Sequence, residues 1–156
     1  KAFRDETYQQ VCGARLQPVL ESLKNMKELG VWVEVTTLVV PEMNDSSDEL
    51  RDIADFIATE LGAETPWHVS RFHPNYKMYD RGATPQSSLR SAYELGRKAG
   101  LRYVYVGNMP GAHLEDTYCP SCNQAVIERW GFQFRKKHLR DGKCLHCGAV
   151  IDGIQM

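Results

Sequence analysis

The sequence predicts an α/β fold, in which three helix–strand units form a parallel sheet and a small cysteine-containing β-module follows. Two observations support this prediction. Amphipathic helical spacing alternates three times with short segments rich in β-branched residues, and two Cys-x-x-Cys pairs appear after about His113. Strands that alternate with amphipathic helices are joined by right-handed crossovers, so they lie parallel in one sheet. The 156 residues, 42% of them hydrophobic, suffice for one packed domain and a small module.

The first unit is a helix followed at once by a strand. Apolar residues recur at helical spacing from Leu16 to Leu29, and Gly30 follows as a typical helix stop. The β-branched segment 31–40 then predicts a strand that ends at Pro41.

The second unit begins with Ser46 and Glu49, which have the spacing of a capping box. An apolar helical face runs over 50–61, Gly62 ends it, and segment 67–72 predicts the next strand.

The third unit has Thr84 as the expected N-cap, with Pro85 at the first helical position. Apolar residues within 89–99 form its buried stripe, Gly100 ends it, and segment 102–106 predicts the third strand.

These units make only part of a βα architecture. Three strands are too few for a stable parallel sheet, which needs both faces covered. The chain also begins on a loop and a helix with no strand before them. It also lacks an initiator methionine and the apolar segment of a signal peptide. We therefore expect residues 1–112 to be the second half of a βα architecture whose N-terminal half is missing, and 113–156 to be a separate small module.

The small module carries a metal-site pattern. Two pairs separated by 21 residues supply four thiolates, which suits the tetrahedral geometry of structural zinc. Asn123 and Gly148 follow the pairs and tolerate the positive φ that a metal knuckle needs. Strands over 125–129 and 131–135 and a turn at Asp141-Gly142 complete a predicted zinc ribbon. The predicted ligands are Cys119, Cys122, Cys144 and Cys147.

Other interpretations of these cysteines stay open. Four cysteines also hold iron, alone or as an iron–sulfur cluster, whereas disulfides fit a reducing compartment poorly. Four thiolates leave no open position for catalytic zinc, so His138 and His146 are expected near the site but not as ligands. Cys12 stands alone and is interpreted as a small buried apolar residue.

The ribbon also carries a basic and aromatic segment over 129–143. Such a segment binds nucleic acid through phosphate contacts and base stacking, or it is a solvated hairpin whose aromatic residues form the small core of the ribbon. We favour the second interpretation, so nucleic acid is not the expected partner. The residues concerned are Arg129, Trp130, Phe132, Phe134, Arg135, Lys136, Lys137, Arg140 and Lys143.

Charge and hydropathy limit the possible partners and location. The net charge of −1 gives no overall argument for nucleic acid or an anionic membrane. No apolar run approaches the roughly 18 residues of a membrane span, so no membrane association is expected. Paired cysteines without a signal peptide make the cytoplasm the expected location.

In a βα architecture the site lies where the parallel strands end. His73 follows the second predicted strand and is the best single candidate there, because an imidazole can donate to a ligand or exchange protons near neutral pH.

Four stretches carry a family resemblance: 11–13, 30–41 with Asn44-Asp45, 67–74, and 103–108 followed by 118–122. The run from Lys1 to Tyr79 resembles the second half of a radical S-adenosylmethionine (SAM) enzyme of the pyruvate formate-lyase activating type. The whole chain, ribbon included, resembles the C-terminal part of the radical SAM member of the AmmeMemoRadiSam system.

The resemblance implies the C-terminal half of a partial (β/α)6 barrel that cleaves SAM reductively at a [4Fe–4S] cluster to start radical chemistry. Lys1 would lie close to SAM, Thr36 and Leu38 would line the adenosyl group, and His73 would contact SAM. No residue of this chain is implied as catalytic. A protein partner from the AmmeMemoRadiSam system is also implied.

The chain departs from the family in three places. It lacks the Cys-x-x-x-Cys-x-x-Cys loop that holds the cluster and the Gly-Gly-Glu strand end that holds the SAM amino group, and Glu42 stands where glycine is usual. This chain alone is therefore expected to be inactive. Two rival hypotheses are a zinc-ribbon module that binds nucleic acid or protein on an α/β scaffold, and an auxiliary iron–sulfur cluster that transfers electrons.

Overall fold

The computed structural model describes residues 1–109, 111, 113–131 and 133–154. A helical and parallel-stranded part comes first, and its elements are α1 (Asp5–Cys12), α2 (Leu16–Glu28), β1 (Val35–Val39), α3 (Ser47–Phe56), β2 (Trp67–Arg71), α4 (Gln86–Lys98) and β3 (Val104–Gly107). An antiparallel part follows, and its elements are β4 (Thr117–Tyr118), β5 (Ala125–Trp130), β6 (Gln133–Lys137), β7 (Leu139–Arg140) and β8 (Lys143–Cys144).

The three strands of the first part form a parallel sheet in the order β1-β2-β3. Val35 pairs with Trp67, and Trp67 pairs with Val104, so the first residues of the three strands are in register. The predicted parallel α/β sheet is confirmed.

In the described part of the chain, helices cover one face of this sheet and leave the other without a helix. Alternate strand residues such as Val39, Val69 and Val106 are buried against Leu50 of α3 and Leu89 of α4 in one apolar core. The residues between them point to the opposite face, because successive side chains of a strand alternate. We call this opposite face the open face. It is formed by Thr36, Leu38, His68, Ser70, Tyr105 and Gly107, none of them fully buried.

Helix α4 lies unusually close to the sheet at Gly96. A Cβ built there would be 2.8 Å from Cγ2 of Val104 and 3.0 Å from Cε3 of Trp67. The absence of a side chain at this position therefore fixes the distance between helix and sheet.

Only one of the two hydrogen bonds of the predicted capping box forms at the start of α3. The Ser46 hydroxyl accepts from the Glu49 N–H at 3.3 Å, but the Glu49 carboxylate accepts from the backbone N–H of Phe3 at 2.6 Å instead of returning to Ser46. The helix continues as a π-helical turn over Ile57–Leu61 and ends at Gly62, whose φ is 101°. Glu49 thus ties the start of the chain to α3.

Strand β1 is shorter than predicted, and a short helix is added. The strand begins at Val35 and not at position 31, because its pairing with β2 starts where the Val35 N–H donates to the Pro66 carbonyl at 2.9 Å and Val35 lies opposite Trp67. Helix α1 occupies a segment that the sequence predicts as a loop.

The predicted N-cap role of Thr84 is wrong. Pro85 takes the N-cap position and α4 has no side-chain cap. The fully buried Thr84 hydroxyl instead donates to the Val39 carbonyl at 2.6 Å and accepts from the Phe72 N–H at 2.8 Å. These bonds satisfy buried backbone groups where β1 and β2 end. Buried groups need a protein partner, whereas the N–H groups of an exposed helix start can bond to water.

The antiparallel part forms a three-stranded sheet, β4-β5-β6, and a separate hairpin, β7-β8. Asp141 and Gly142 join β7 to β8 with φ values of 51° and 70°, which confirms the predicted turn. Among the described residues, no helix combines the length and apolar character needed to cross a membrane.

Candidate functional site

The four predicted cysteine ligands come together at the end of the chain. Their sulfur atoms all lie within 4.8 Å of one another. Cys119 Sγ is 3.6 Å from Cys147 Sγ, and Cys122 Sγ is 3.8 Å from Cys144 Sγ, so each contact joins one pair to the other. The site is positioned to bind a metal ion.

Two tight turns build this site. The Asn123 N–H donates to the Cys119 carbonyl at 2.9 Å, and the Gly148 N–H donates to the Cys144 carbonyl at 2.8 Å. The φ values of 56° at Asn123 and 77° at Gly148 are the positive ones predicted for metal knuckles. Each turn folds its backbone so that two thiols face the same point.

The thiols differ in their ease of ionisation. Burial opposes ionisation of Cys119, but the backbone N–H groups of Cys122 and Ser121 outweigh it and lower the pKa of Cys119 to about 7. The Ala149 N–H lowers the pKa of Cys147, but burial and the neighbouring thiols raise it to about 12. Four close thiols resist simultaneous ionisation, so a bound cation must supply the compensating charge.

The site has the chemistry of a closed structural centre. Four thiolates complete a tetrahedron and leave no position for substrate or water. His138 and His146 lie nearby with ring centroids 5.3 Å apart, and His138 Nε2 lies 3.5 Å from Glu128 Oε1. Neither histidine belongs to the group of possible ligands found in the described part of the chain.

The metal site lies at the amino end of the parallel sheet. Cys119 and Cys144 share an apolar cluster with Tyr103, the residue immediately before β3. After β3 the chain turns back, so that the Val106 N–H donates to the Leu114 carbonyl at 2.9 Å. The knuckles are therefore remote from the carboxyl ends of the strands.

The structure corrects two expectations for residues outside the metal site. Cys12 is exposed at the end of α1 and is not a buried apolar residue, because α1 packs through Tyr8. The aromatic residues of the basic segment do not form the ribbon core: Trp130 is 42% exposed and Phe134 is 61% exposed. Phe132 lies outside the described residues. The core that replaces them consists of Tyr103, Cys119, Val126, Ile127, Leu139, Cys144 and Ile151.

The residues predicted to contact SAM lie on or near the open face. Thr36 and Leu38 belong to it and pair in register with His68 and Ser70. His73 is exposed, two residues beyond the end of β2.

Lys1 is held beside the end of β1. The buried Asn44 amide donates to the Lys1 carbonyl at 2.6 Å and to the Leu38 carbonyl at 2.9 Å. The structure thus brings Lys1 next to Leu38, whereas His73 stands on the loop after the adjacent strand.

The loop after β1 has a glycine-like backbone although it carries Glu42. The φ of Glu42 is 64°, and its N–H donates to Asp45 Oδ1 at 2.9 Å. The Asp45 carboxylate therefore holds a conformation that glycine adopts at no steric cost.

A polar network that sequence reasoning missed lies in a cleft of about 380 Å³ between the open face and the ribbon. Glu34 Oε1 accepts from Trp32 Nε1 at 2.9 Å, and Glu34 Oε2 lies 2.7 Å from His68 Nε2. The His68 ring packs on Tyr105, with centroids 5.0 Å apart. The alternation of strand side chains would have placed His68 and Tyr105 on one face, but only the fold brings Glu34 to them.

The surroundings of Glu34 change the pKa of its carboxylate. Burial alone would raise the pKa of Glu34, but hydrogen bonds from Trp32 and His68, with the positive charges of His68 and Arg129, outweigh it and lower that pKa. Burial raises the pKa of Tyr105. The cleft therefore holds an ionised carboxylate beside a neutral phenol.

Comparisons with known proteins agree with this architecture. No protein-family model matches the chain. An uncharacterized protein of Methanocaldococcus jannaschii is 49% identical over 147 residues, a match that spans 93% of this chain and 44% of the relative. A crystal structure of a domain of pyruvate-formate lyase-activating enzyme from Bacteroides vulgatus matches with a TM-score of 0.60 and 13% identity, over 69% of this chain and 63% of that one. The chain thus spans less than half the length of its curated relative and shares a fold with that activating-enzyme domain.

Proposed function

We propose that this chain is the C-terminal part of a radical SAM enzyme, which cleaves SAM reductively at a [4Fe–4S] cluster to start radical chemistry on a substrate. The chain would form one wall of the SAM pocket and carry a structural zinc ribbon. Within this class, we propose the radical SAM member of the AmmeMemoRadiSam system and a cytoplasmic location.

The one-sided sheet carries this proposal. A parallel sheet that stands alone is normally covered on both faces, yet here the face with Thr36, Leu38 and His68 is half-exposed and mixed in polarity. Such a face suits the inner wall of a barrel that other residues complete. The fold shared with a domain of an activating enzyme supports the same assignment.

Local geometry supports the SAM wall. The Asn44 amide ties Lys1 to the Leu38 carbonyl, so a lysine backbone and an open-face strand meet at the carboxyl end of β1. Glu42 has a positive φ of 64°, a conformation that glycine adopts at no steric cost, so the departure at this position is compatible with a glycine-type turn. His73 follows β2 at the same edge of the sheet.

The four cysteines do not fit the proposed [4Fe–4S] cluster. A cluster that binds SAM keeps one iron without a cysteine ligand, whereas these sulfurs form a complete set within 4.8 Å. The chain also has no Cys-x-x-x-Cys-x-x-Cys spacing. The cluster therefore belongs to residues outside this chain, in a longer protein or in a partner.

The test is anaerobic reconstitution of the full-length protein that contains this chain. We expect iron and sulfide for one four-iron cluster beyond the ribbon metal, and 5′-deoxyadenosine on addition of SAM and a reductant. The His73→Ala variant should weaken SAM binding about tenfold or more, because it removes a polar contact to the cofactor. Lys77→Ala, in the same loop, should bind SAM like the parent protein.

Two results would overturn the proposal. One is a reconstituted full-length protein that forms no 5′-deoxyadenosine. The other is a four-iron cluster with SAM turnover in residues 1–156 alone.

A further inference from the structure

Strand β6 is an exposed edge of the ribbon. Among the described strands it pairs with β5 alone, in the sheet order β4-β5-β6, and each of its residues from Gln133 to Lys137 is exposed. An edge strand with two exposed aromatic residues at or near it is unusual, since proteins normally protect such edges with charges, proline, β-bulges or covering segments.

The aromatic rings at this edge lie beside cations. A register irregularity between Glu128 and Arg129 shifts the pairing of β5 with β6, so that Lys136 lies opposite Glu128 and Phe134 lies opposite Arg129. The Arg135 guanidinium lies 4.9 Å from the centroid of the Trp130 ring. Flat rings next to guanidinium groups are the arrangement by which proteins stack nucleotide bases and hold the adjoining phosphates.

The charge of segment 129–143 is opposite to that of the rest of the chain. Segment 129–143 has six lysine and arginine residues against one aspartate, whereas the whole chain has a net charge of −1. In the described part of the chain, Lys136 has an ion pair, with Glu128 at 3.7 Å, but no carboxylate pairs with Arg135, Lys137, Arg140 or Lys143. These cations are available to a polyanion.

We propose that the β5–β6 hairpin binds a single-stranded nucleic acid. Arg135, Lys136 and Lys137 contact phosphates along the β6 edge. Trp130 and Phe134 lie on opposite faces of the hairpin and contact different bases of a strand that crosses this edge. A nucleic acid strand is favoured over an acidic protein because it offers both repeated phosphates and flat aromatic surfaces. This binding goes beyond the radical SAM activity proposed above and needs no SAM or cluster.

The hairpin tip lies at the carboxyl end of the parallel sheet. The Trp130 ring lies against Gly111, where a Cβ would be 3.7 Å from Trp130 Cη2, and Gly111 belongs to the loop that follows β3. A strand bound to the tip therefore passes the edge of the sheet at which Lys1 and His73 stand. The metal knuckles lie at the opposite end and do not contact it.

The test measures binding of a fluorescein-labelled 12-nucleotide oligo(U) to the metal-loaded chain by fluorescence anisotropy. We expect the logarithm of the association constant to fall linearly with the logarithm of salt, with a slope of about −2 for three phosphate contacts. Lys136→Gln with Lys137→Gln should make the slope shallower by about 1.4, since each lysine accounts for roughly 0.7. Binding should quench tryptophan fluorescence, and Trp130→Leu should lose the quench and at least fivefold in affinity.

The matched control is Arg90→Gln with Lys98→Gln, which removes two exposed cations of α4 and should leave binding unchanged. Each variant must retain one metal ion per chain. Equal binding of poly-glutamate with the same salt slope would identify the surface as an acidic-protein site and overturn the proposal. Tighter binding of a duplex of the same length, or unaltered binding by Trp130→Leu and Phe134→Leu, would overturn it too.

Discussion

The hydroxyl oxygens of Tyr105 and Thr117 lie 3.0 Å apart and join β3, an edge strand of the parallel sheet, to β4, the first strand of the ribbon. Thr117 also accepts from Arg129 Nη1 at 2.7 Å, so three elements meet at one threonine oxygen. The ribbon is thus attached through specific polar contacts at the open face.

Tyr105→Phe tests this attachment. The substitution keeps the ring on His68 but removes one hydrogen bond, so we expect the free energy of unfolding to fall by about 1 kcal/mol. Urea unfolding of the metal-loaded chain measures it. The control is Tyr76→Phe, at a residue that is 76% exposed, and it should change nothing measurable. Equal stability of the Tyr105→Phe variant and the parent would show that the contact is dispensable.

Cysteine substitutions test the metal site. Cys144→Ser replaces a buried thiolate ligand and should abolish stoichiometric metal binding, because a four-ligand site loses its closed coordination. Cys12→Ser, at an exposed cysteine outside the cluster, should keep one metal ion per chain. Elemental analysis measures both. We propose zinc, so the purified chain should be colourless, and visible absorbance from bound iron would contradict that identity.

Gly96→Ala tests the close approach of α4 to the sheet. Alanine would favour the helix by about 1 kcal/mol, but its methyl group would lie 2.8 Å from Val104 Cγ2. Overpacking of this kind costs about 1–3 kcal/mol, so we expect a net loss of stability. Gly82→Ala is the control, because a Cβ there meets nothing within 4 Å. Thermal unfolding that ranks Gly96→Ala at or above Gly82→Ala would refute the crowding.

Glu34→Gln tests the pH dependence of the cleft network. The pKa of Glu34 is lowered from its ordinary value of 4.5, so its stabilising effect is complete above pH 4.5 and is lost as the pH falls through the lower, folded-state pKa. The side chain is 48% exposed, so solvent screening limits the loss in Glu34→Gln at pH 7 to roughly 0.5 kcal/mol. Urea unfolding over a pH series should show this difference shrinking below pH 4.5. A difference that stays constant down to pH 3 would assign the effect to shape and not to charge.

Helix ends and the metal pattern were predictable because they depend on local chemistry. Gly62 ends its helix at positive φ, as its residue type indicates, and Pro41 follows the last residues of β1. Each cysteine pair is followed by its own turn residue, Asn123 or Gly148, so the knuckles followed from the spacing and these two residue types. Such features require no knowledge of distant neighbours.

Features that depend on distant partners were missed. Thr84 looks like a helix cap in sequence, but Val39 and Phe72 compete for its hydroxyl only after the strands are assembled. The ribbon aromatics looked like core, yet Tyr103, which precedes β3, fills that space and leaves Trp130 outside. The exposure of the ribbon aromatics thus depends on Tyr103, a residue outside the ribbon.

The two ends of strand β5 have different supports. Its first residues adjoin the metal knuckles at the amino end of the sheet, whereas Trp130 at its last position rests on the loop after β3. Removal of the metal by a chelator would therefore release the strand at its origin, while Trp130 keeps its contact with the loop after β3. A chelator would thus act on one end of β5 and leave the other end anchored.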